Sequence, residues 1–409
     1  MRRLALAAAF AFAAVALFAS AASGAPALAK RTFPAQNGVG ARDFYVSVPD
    51  GELVGLVVFL HGCTQTVADV AVGTHFHEIA GARGLAVVYH EQALYNAETI
   101  DGNGGRCWNW FLPPHQSRGA GEPASIAGIA QLVAGELGVP RTHVFVAGIS
   151  AGADMTTVLG ATYPDVFAAI APYSGCAYLT CADVSGAAAV AAMGQQARVV
   201  PALVAQGTAD VVNNAAMGDS ALRQWVGTND LVDDGSLNGS VGPEPTTVEN
   251  HDGVPPSSPG GGDPCVAPNR FPCASAAAGA YPYTVSRYES EALGSAVAVE
   301  HWLIHGLNHA WPGGDPAGTF TDPAGPDLAT GMIDFFLSHP MPGAVATAGA
   351  SARPDPLSVE SGAAGTQIRP KANELPATGA AGGRAPVVGA LAALAAGLVG
   401  VRRVRTVRR

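Results

Sequence analysis

His143-Val144-Phe145-Val146-Ala147-Gly148-Ile149-Ser150-Ala151-Gly152 is the stretch that decides how this chain folds. A continuous apolar run ends in two glycines that bracket a serine, and an Ala-rich stretch follows. The run predicts a buried strand over 143–147 and the stretch predicts a helix over 151–163. Glycine at 148 and 152 permits the close backbone approach that a sharp strand-to-helix turn needs.

The same alternation continues to either side. Residues 54–60, 85–89, 167–171, 201–205 and 297–304 read as further buried strands. Residues 68–82, 123–137 and 327–338 read as helices. Continuous apolar strands separated by helices predict an α/β fold, with a mostly parallel central sheet and helices on both faces. In such sheets reactive groups belong beyond the carboxyl ends of the strands.

Three side chains fall there. Ser150 occupies a Gly-x-Ser-x-Gly turn, a short pattern whose weight comes from its strand-turn-helix setting. A serine hydroxyl needs a base, and His309 in Gly306-Leu307-Asn308-His309-Ala310-Trp311 lies just past a predicted strand. His301 and His305, on that strand, are the competing histidines and read as packing groups. Asp210 ends Gln206-Gly207-Thr208-Ala209-Asp210, directly after the 201–205 strand, where it would fix the tautomer of the histidine. Asp230, Asp233 and Asp234 are rivals further along the chain. The order Ser, Asp, His is that of the α/β-hydrolases.

A tetrahedral intermediate would also need two backbone N–H donors. The amide of Ala151 is one, at a helix start where the dipole adds to it. The amide of Cys63, in His61-Gly62-Cys63-Thr64-Gln65-Thr66 after the first strong strand, is the other. Trp311, beside the histidine, is the candidate substrate-binding residue. Trp108 and Trp110 read as packing.

The ends carry addresses. Residues 1–29 have Arg2 and Arg3, an apolar run over 4–18 and small residues offering cleavage after Ala21, Ala25 or Ala29, the order of a secretory signal peptide. Residues 30–340 read as one catalytic domain, long enough to bury a large core. Residues 341–374 are an Ala/Gly/Pro/Ser-rich spacer. Residues 375–409 carry Leu375-Pro376-Ala377-Thr378-Gly379, an apolar stretch and an Arg-rich tail. This resembles the LPxTG sorting signal of Gram-positive surface proteins. That resemblance implies cleavage by sortase between Thr378 and Gly379, attachment to peptidoglycan, a secreted and wall-anchored location, and only transient contact with the membrane.

The chain holds 6 cysteines and a net charge of −10. An even cysteine count in an exported chain suits disulfides, and the spacings match no zinc pattern. Cys176 with Cys181 and Cys265 with Cys273 are near enough in sequence to staple loops. That leaves Cys63 with Cys107, a pairing that spacing alone does not fix among six cysteines. The acidic balance and scattered arginines argue against nucleic acid as a partner. No metal or organic cofactor is expected, since the triad needs none, and a monomer is expected. Residues 228–290, rich in Gly, Pro and Asp, read as a long irregular insert between acid and base.

Taken together, these strings resemble the polyhydroxybutyrate depolymerase family of esterases over roughly residues 40–340. The resemblance rests on His61 to Gln65, Cys107-Trp108-Asn109-Trp110-Phe111, Arg118-Gly119-Ala120-Gly121-Glu122, the serine turn, Gly207 to Asp210 and His309 to Gly314. It implies Ser150 as nucleophile, Asp210 as acid, His309 as base and Cys63 as oxyanion donor. The implied substrate is a short-chain polyhydroxyalkanoate polyester, its oligomers or a small ester. A feruloyl or acetyl carbohydrate esterase on the same fold and a non-catalytic surface-binding protein are the alternatives. Asp154 departs from the pattern, standing where a small apolar residue is expected. A spacer and an anchor also follow the catalytic domain, where secreted depolymerases usually append a polymer-adsorbing domain.

Overall fold

Leu56, Val58 and Leu60 pack on one face of the central sheet while Val57 and Phe59 pack on the other. A strand apolar at every position is thus buried from both sides, as a parallel sheet between helices requires. The computed structural model describes residues 27–94, 102–254 and 281–342.

The first part of the chain forms β1 (Leu28–Phe33), β2 (Arg42–Ser47), β3 (Gly55–Leu60), α1 (Val67–Thr74), α2 (Phe76–Gly81) and β4 (Leu85–His90). Next come α3 (Gly121–Leu137), β5 (Val144–Ile149), α4 (Ala151–Thr162), β6 (Ile170–Tyr173), α5 (Ala187–Met193) and β7 (Ala202–Gly207). The last part forms α6 (Ala215–Asp234), β8 (Thr247–His251), β9 (Tyr283–Ser290), β10 (Ala296–Ile304) and α7 (Leu328–Ser338). The strands lie in the order β1-β2-β4-β3-β5-β6-β7-β10-β9-β8. Every pairing from β4 through to β10 is parallel. Antiparallel pairings close both edges, β1-β2-β4 on one side and β10-β9-β8 on the other. Helices α3 to α6 cover one face, and α1, α2 and α7 cover the other. This is the α/β-hydrolase arrangement, with the loops that carry Ser150, Asp210 and His309 leaving the parallel strands β5, β7 and β10.

Local chemistry sets the element ends. Thr66 and Asp69 exchange side-chain and backbone hydrogen bonds at the start of α1, a capping box. His75, at φ 49°, breaks the expected 68–82 helix into α1 and α2. The expected strand over 167–171 is displaced to 170–173, because the amide of Phe167 still bonds back to Tyr163 O at the end of the preceding turn.

The expected irregular insert over 228–290 is corrected in its described parts. Helix α6 runs to Asp234, and β8 and β9 extend the sheet. Strand β8 hid because all five of its residues are exposed, so no apolar alternation marks it. Strand β1 begins at Leu28, two residues ahead of the boundary expected at 30. The pairing of Cys265 with Cys273 lies outside the described residues. So do most of the signal segment, nearly all of the spacer, and the sorting motif with Thr378 and Gly379.

Candidate active site

Beyond β5 the backbone turns at Ser150 with φ 58° and ψ −126°, outside the regions that non-glycine residues normally occupy. Its neighbours explain why glycine flanks it. A Cβ on Gly148 would lie 2.4 Å from Gly152 C, and one on Gly152 would lie 2.2 Å from Leu60 O. The serine therefore stands at a backbone crossing with the end of β3, and α4 starts directly after it.

The acid and histidine loops are laced together. Ala209 N donates to Leu307 O at 3.0 Å, and Gly306 N donates to Thr208 Oγ1 at 2.8 Å. Asn308 Oδ1 accepts from both Val211 N and His309 N. Tyr173 at the end of β6 donates its hydroxyl to Ala310 O at 2.5 Å. These contacts aim His309 at the serine. Its Nε2 lies 3.0 Å from Ser150 Oγ, and its Nδ1 lies 2.8 Å from Asp210 Oδ2. In the tautomer that suits both contacts, Nδ1–H donates to Asp210 and Nε2 accepts from Ser150.

Asp210 is held ionised. Burial alone would raise its pKa, but the His309 ring and the donors Ser174 Oγ and Val212 N together bring it below the ordinary carboxylate value. Oδ1 accepts from Val212 N and Asn213 N, each at 2.9 Å. The rival groups go elsewhere. Asp230 accepts from Gly239, Ser240 and Val241 in a turn, and Asp234 accepts from Ser236 N. His305 bonds Thr284 Oγ1, and burial depresses the His301 pKa to about 4.

On the opposite side of Ser150, a Cβ on Gly62 would lie 3.1 Å from Ser150 Cβ, so the loop after β3 abuts the nucleophile. Cys63 and Ala151 follow Gly62 and Ser150 in sequence. Among the described residues, neither amide N–H has an acceptor within the protein. Cys63 is disulfide-bonded to Cys107, and Cys176 to Cys181.

A buried polar network backs the Cys63 loop. Trp108 Nε1 donates to His61 O at 2.9 Å, Gln92 N donates to His61 Nε2, and His61 Nδ1 donates to Gly62 O. Burial depresses the His61 pKa to about 4, which keeps that donor-acceptor pattern in place at neutral pH. Beneath it, the Glu122 carboxylate accepts from Asn109 N at 2.7 Å, Asn109 Nδ2 at 2.8 Å and Gln92 Nε2 at 2.5 Å. Arg118 binds Asp165 and Thr162 O at the far end of α4. The Arg118-to-Glu122 string thus fastens both the segment around Cys107 and the serine helix.

Trp311 does not line a cleft. It is 1% exposed and packs edge-on against Phe59 and Tyr173, filling the core beneath the histidine loop. Asp154 is buried in α4, where its Oδ1 accepts from Cys176 N at 2.8 Å and burial raises its pKa well above the ordinary value. Sequence reasoning missed Ser174, which touches both Asp210 and His309. Its place one residue past a parallel strand was the available signal. It also missed Glu122 and Gln92 as supports.

Serine, imidazole and carboxylate in this chain, beside a pair of uncommitted amides, can generate an alkoxide and stabilise an oxyanion. Residues 44–235 match the family described as "Esterase PHB depolymerase". The chain is 37% identical over 150 residues to "Poly(3-hydroxyalkanoate) depolymerase C" of Paucimonas lemoignei, covering 36% of this chain and 34% of that protein. It is 33% identical over 149 residues to "Probable acetylxylan esterase A" of Aspergillus fumigatus, covering 35% and 38% of the two chains. The solved "Acetyl xylan esterase from Aspergillus awamori" aligns with 71% of this chain and 94% of its own, at 21% identity and TM-score 0.49. The matched stretch therefore spans little more than a third of the length of these curated relatives.

Proposed function

We propose that this protein is an exported serine esterase that hydrolyses short-chain hydroxyalkanoate esters, as polyester or oligomers, through an acyl-Ser150 intermediate. One observation carries the reading: Ser150, His309 and Asp210 form an unbroken relay with steps of 3.0 and 2.8 Å. In this reaction His309 Nε2 takes the Ser150 proton as Oγ attacks the ester carbonyl. Asp210 stabilises the imidazolium, and the amides of Cys63 and Ala151 hold the oxyanion. His309 then gives the proton to the leaving alcohol, and water repeats the sequence to free the acid.

The purified domain is expected to hydrolyse p-nitrophenyl butyrate and to release 3-hydroxybutyrate from amorphous polymer. A purified wild-type domain that cleaves no ester and does not react at Ser150 with a fluorophosphonate would end the proposal. That outcome would favour a non-catalytic binding role instead.

A second reading keeps the site and changes the ester to acetyl groups on xylan. It is supported by the 33% identity to the Aspergillus fumigatus acetylxylan esterase. Release of acetate from acetylated xylan exceeding release of 3-hydroxybutyrate from amorphous polymer would decide for it. Wall anchoring through Thr378 belongs to the same proposal, and loss of wall-bound protein in a Thr378→Ala variant is its test. Two disulfides suit the oxidising exterior this requires.

A further inference from the structure

Ser174 sits one residue beyond β6, the strand between those that carry the nucleophile and the acid. It is fully buried, and its φ is 55°, a conformation that favours glycine. Its Oγ lies 2.5 Å from Asp210 Oδ2 and 2.9 Å from His309 Nδ1, while those two atoms are 2.8 Å apart. Three polar atoms therefore form a closed triangle behind the imidazole.

Proton accounting gives that triangle one arrangement. An ionised carboxylate can only accept, so the Ser174 hydroxyl proton points at Oδ2. The Nδ1 atom carries a proton when Nε2 accepts from Ser150. That proton faces the edge between Oδ2 and Ser174 Oγ, where the hydroxyl presents lone pairs. Ser174 thus fixes one carboxylate oxygen and offers Nδ1–H a second acceptor at the same time. The backbone holds it there. Ser174 N donates to Ala205 O at 2.9 Å, and its carbonyl accepts from Asn213 Nδ2 at 2.5 Å. Asn213 N in turn donates to Asp210 Oδ1.

We infer that Ser174 is a positioning residue of the relay: its hydroxyl locks the Asp210 carboxylate and the His309 tautomer in register with Ser150. This deepens the esterase reading and rests on it. Among the described residues its hydroxyl hydrogen-bonds Asp210 and His309, and it acts through these two partners.

Ser174→Gly removes the hydroxyl while suiting the positive φ, and Ser174→Ala removes it at some cost in backbone strain. Both variants are expected to lose about tenfold in kcat for p-nitrophenyl butyrate, the size typical of a hydrogen bond to a charged group. KM is expected to stay within about twofold, since the contact is remote from the ester. The acidic limb of the kcat/KM profile should shift from its wild-type position, since the Ser174 hydroxyl touches both members of the Asp210–His309 pair. A purely structural role would lower the melting temperature and leave that limb in place.

If wild-type protein is active and both variants match it in kcat and in the acidic limb, the Ser174 assignment is overturned and the esterase reading stands. If wild-type protein is itself inactive and unreactive toward a fluorophosphonate, both fall together.

Discussion

The two flanks of Ser150 are built on different principles. On one flank, His309 and Asp210 come from loops after β10 and β7 and meet through hydrogen-bonded side chains. On the other, the loop after β3 abuts the nucleophile at Gly62, the groups proposed to act are the backbone amides of Cys63 and Ala151, and the surrounding side chains hold the loop. The first flank depends on a few irreplaceable atoms. The second depends on a distributed scaffold of one disulfide, His61, Trp108, Gln92 and Glu122. Losses on the first flank should be abrupt, and losses on the second should be graded.

The largest expected effect tests the abrupt side. Ser150→Ala should lower kcat by roughly 10⁶-fold, and Asp210→Asn by about 10⁴-fold, with little change in melting temperature. Steady-state rates on p-nitrophenyl butyrate and circular dichroism would measure both. A loss of only tenfold in either variant would mean the relay is not the reactive chain.

The graded side comes next. Replacing Cys63 and Cys107 together by serine should cost up to ~10²-fold in kcat, bounded by the usual worth of one oxyanion donor. Stability should fall as well, by about 2–4 kcal/mol for a closed loop of this kind. Trp108→Phe deletes the hydrogen bond to His61 O and should cost about tenfold or less. If Trp108→Phe were as damaging as Asp210→Asn, the contrast between the flanks would be lost.

The pH dependence of stability sharpens the comparison further. Burial depresses the folded pKa values of His61, His90 and His301 to about 4, 3 and 4. The unfolded chain therefore binds more protons than the folded one once pH drops below the ordinary histidine value of 6.5. Their stabilising contribution is intact above that value and drains away as pH falls toward 4. A melting temperature that declines steadily across this window is expected, and a flat profile would contradict the buried, neutral histidines.

Asp154 opposes this trend, because its raised pKa costs stability as pH climbs above the unfolded carboxylate value. Asp154→Asn keeps an acceptor for Cys176 N and should raise the melting temperature at pH 7.5 by about 2–4 °C. The gain should shrink as the pH approaches 4. Equal gains at both pH values would assign the effect to packing instead of charge.

The same contrast explains what could be read in advance. The parallel centre of the sheet and the three relay residues were legible because each leaves a local signature, an apolar run followed by a reactive residue. Strands β3, β4, β5, β7 and β10 fell within a few residues of expectation for this reason. The edges did not announce themselves. Strand β8 is exposed throughout, and β9 alternates too irregularly to stand out from a Gly- and Pro-rich region. Helix α6 was missed as well. Its core face includes polar Gln224, Thr228 and Asn229, and Asn229 pairs with the backbone of Val200.

On the second flank, Cys63 was expected from its position, but the network behind it joins residues up to 47 positions apart in sequence. Glu122 was noticed as part of a string, yet its task of gripping Asn109 and Gln92 exists only in three dimensions. Trp311 shows the converse failure. An aromatic ring next to the histidine suggested a substrate wall, but burial between Phe59 and Tyr173 serves the core.

The most direct measurement is the acyl-enzyme itself. Mixing excess p-nitrophenyl butyrate with the purified protein and quenching in acid within milliseconds to seconds should trap a butyryl group, located by peptide mass spectrometry. The adduct is expected on Ser150, absent from Ser150→Ala and strongly reduced in His309→Ala. Robust turnover by wild-type protein with the acyl group on another residue, or with Ser150→Ala as active as wild type, would contradict it.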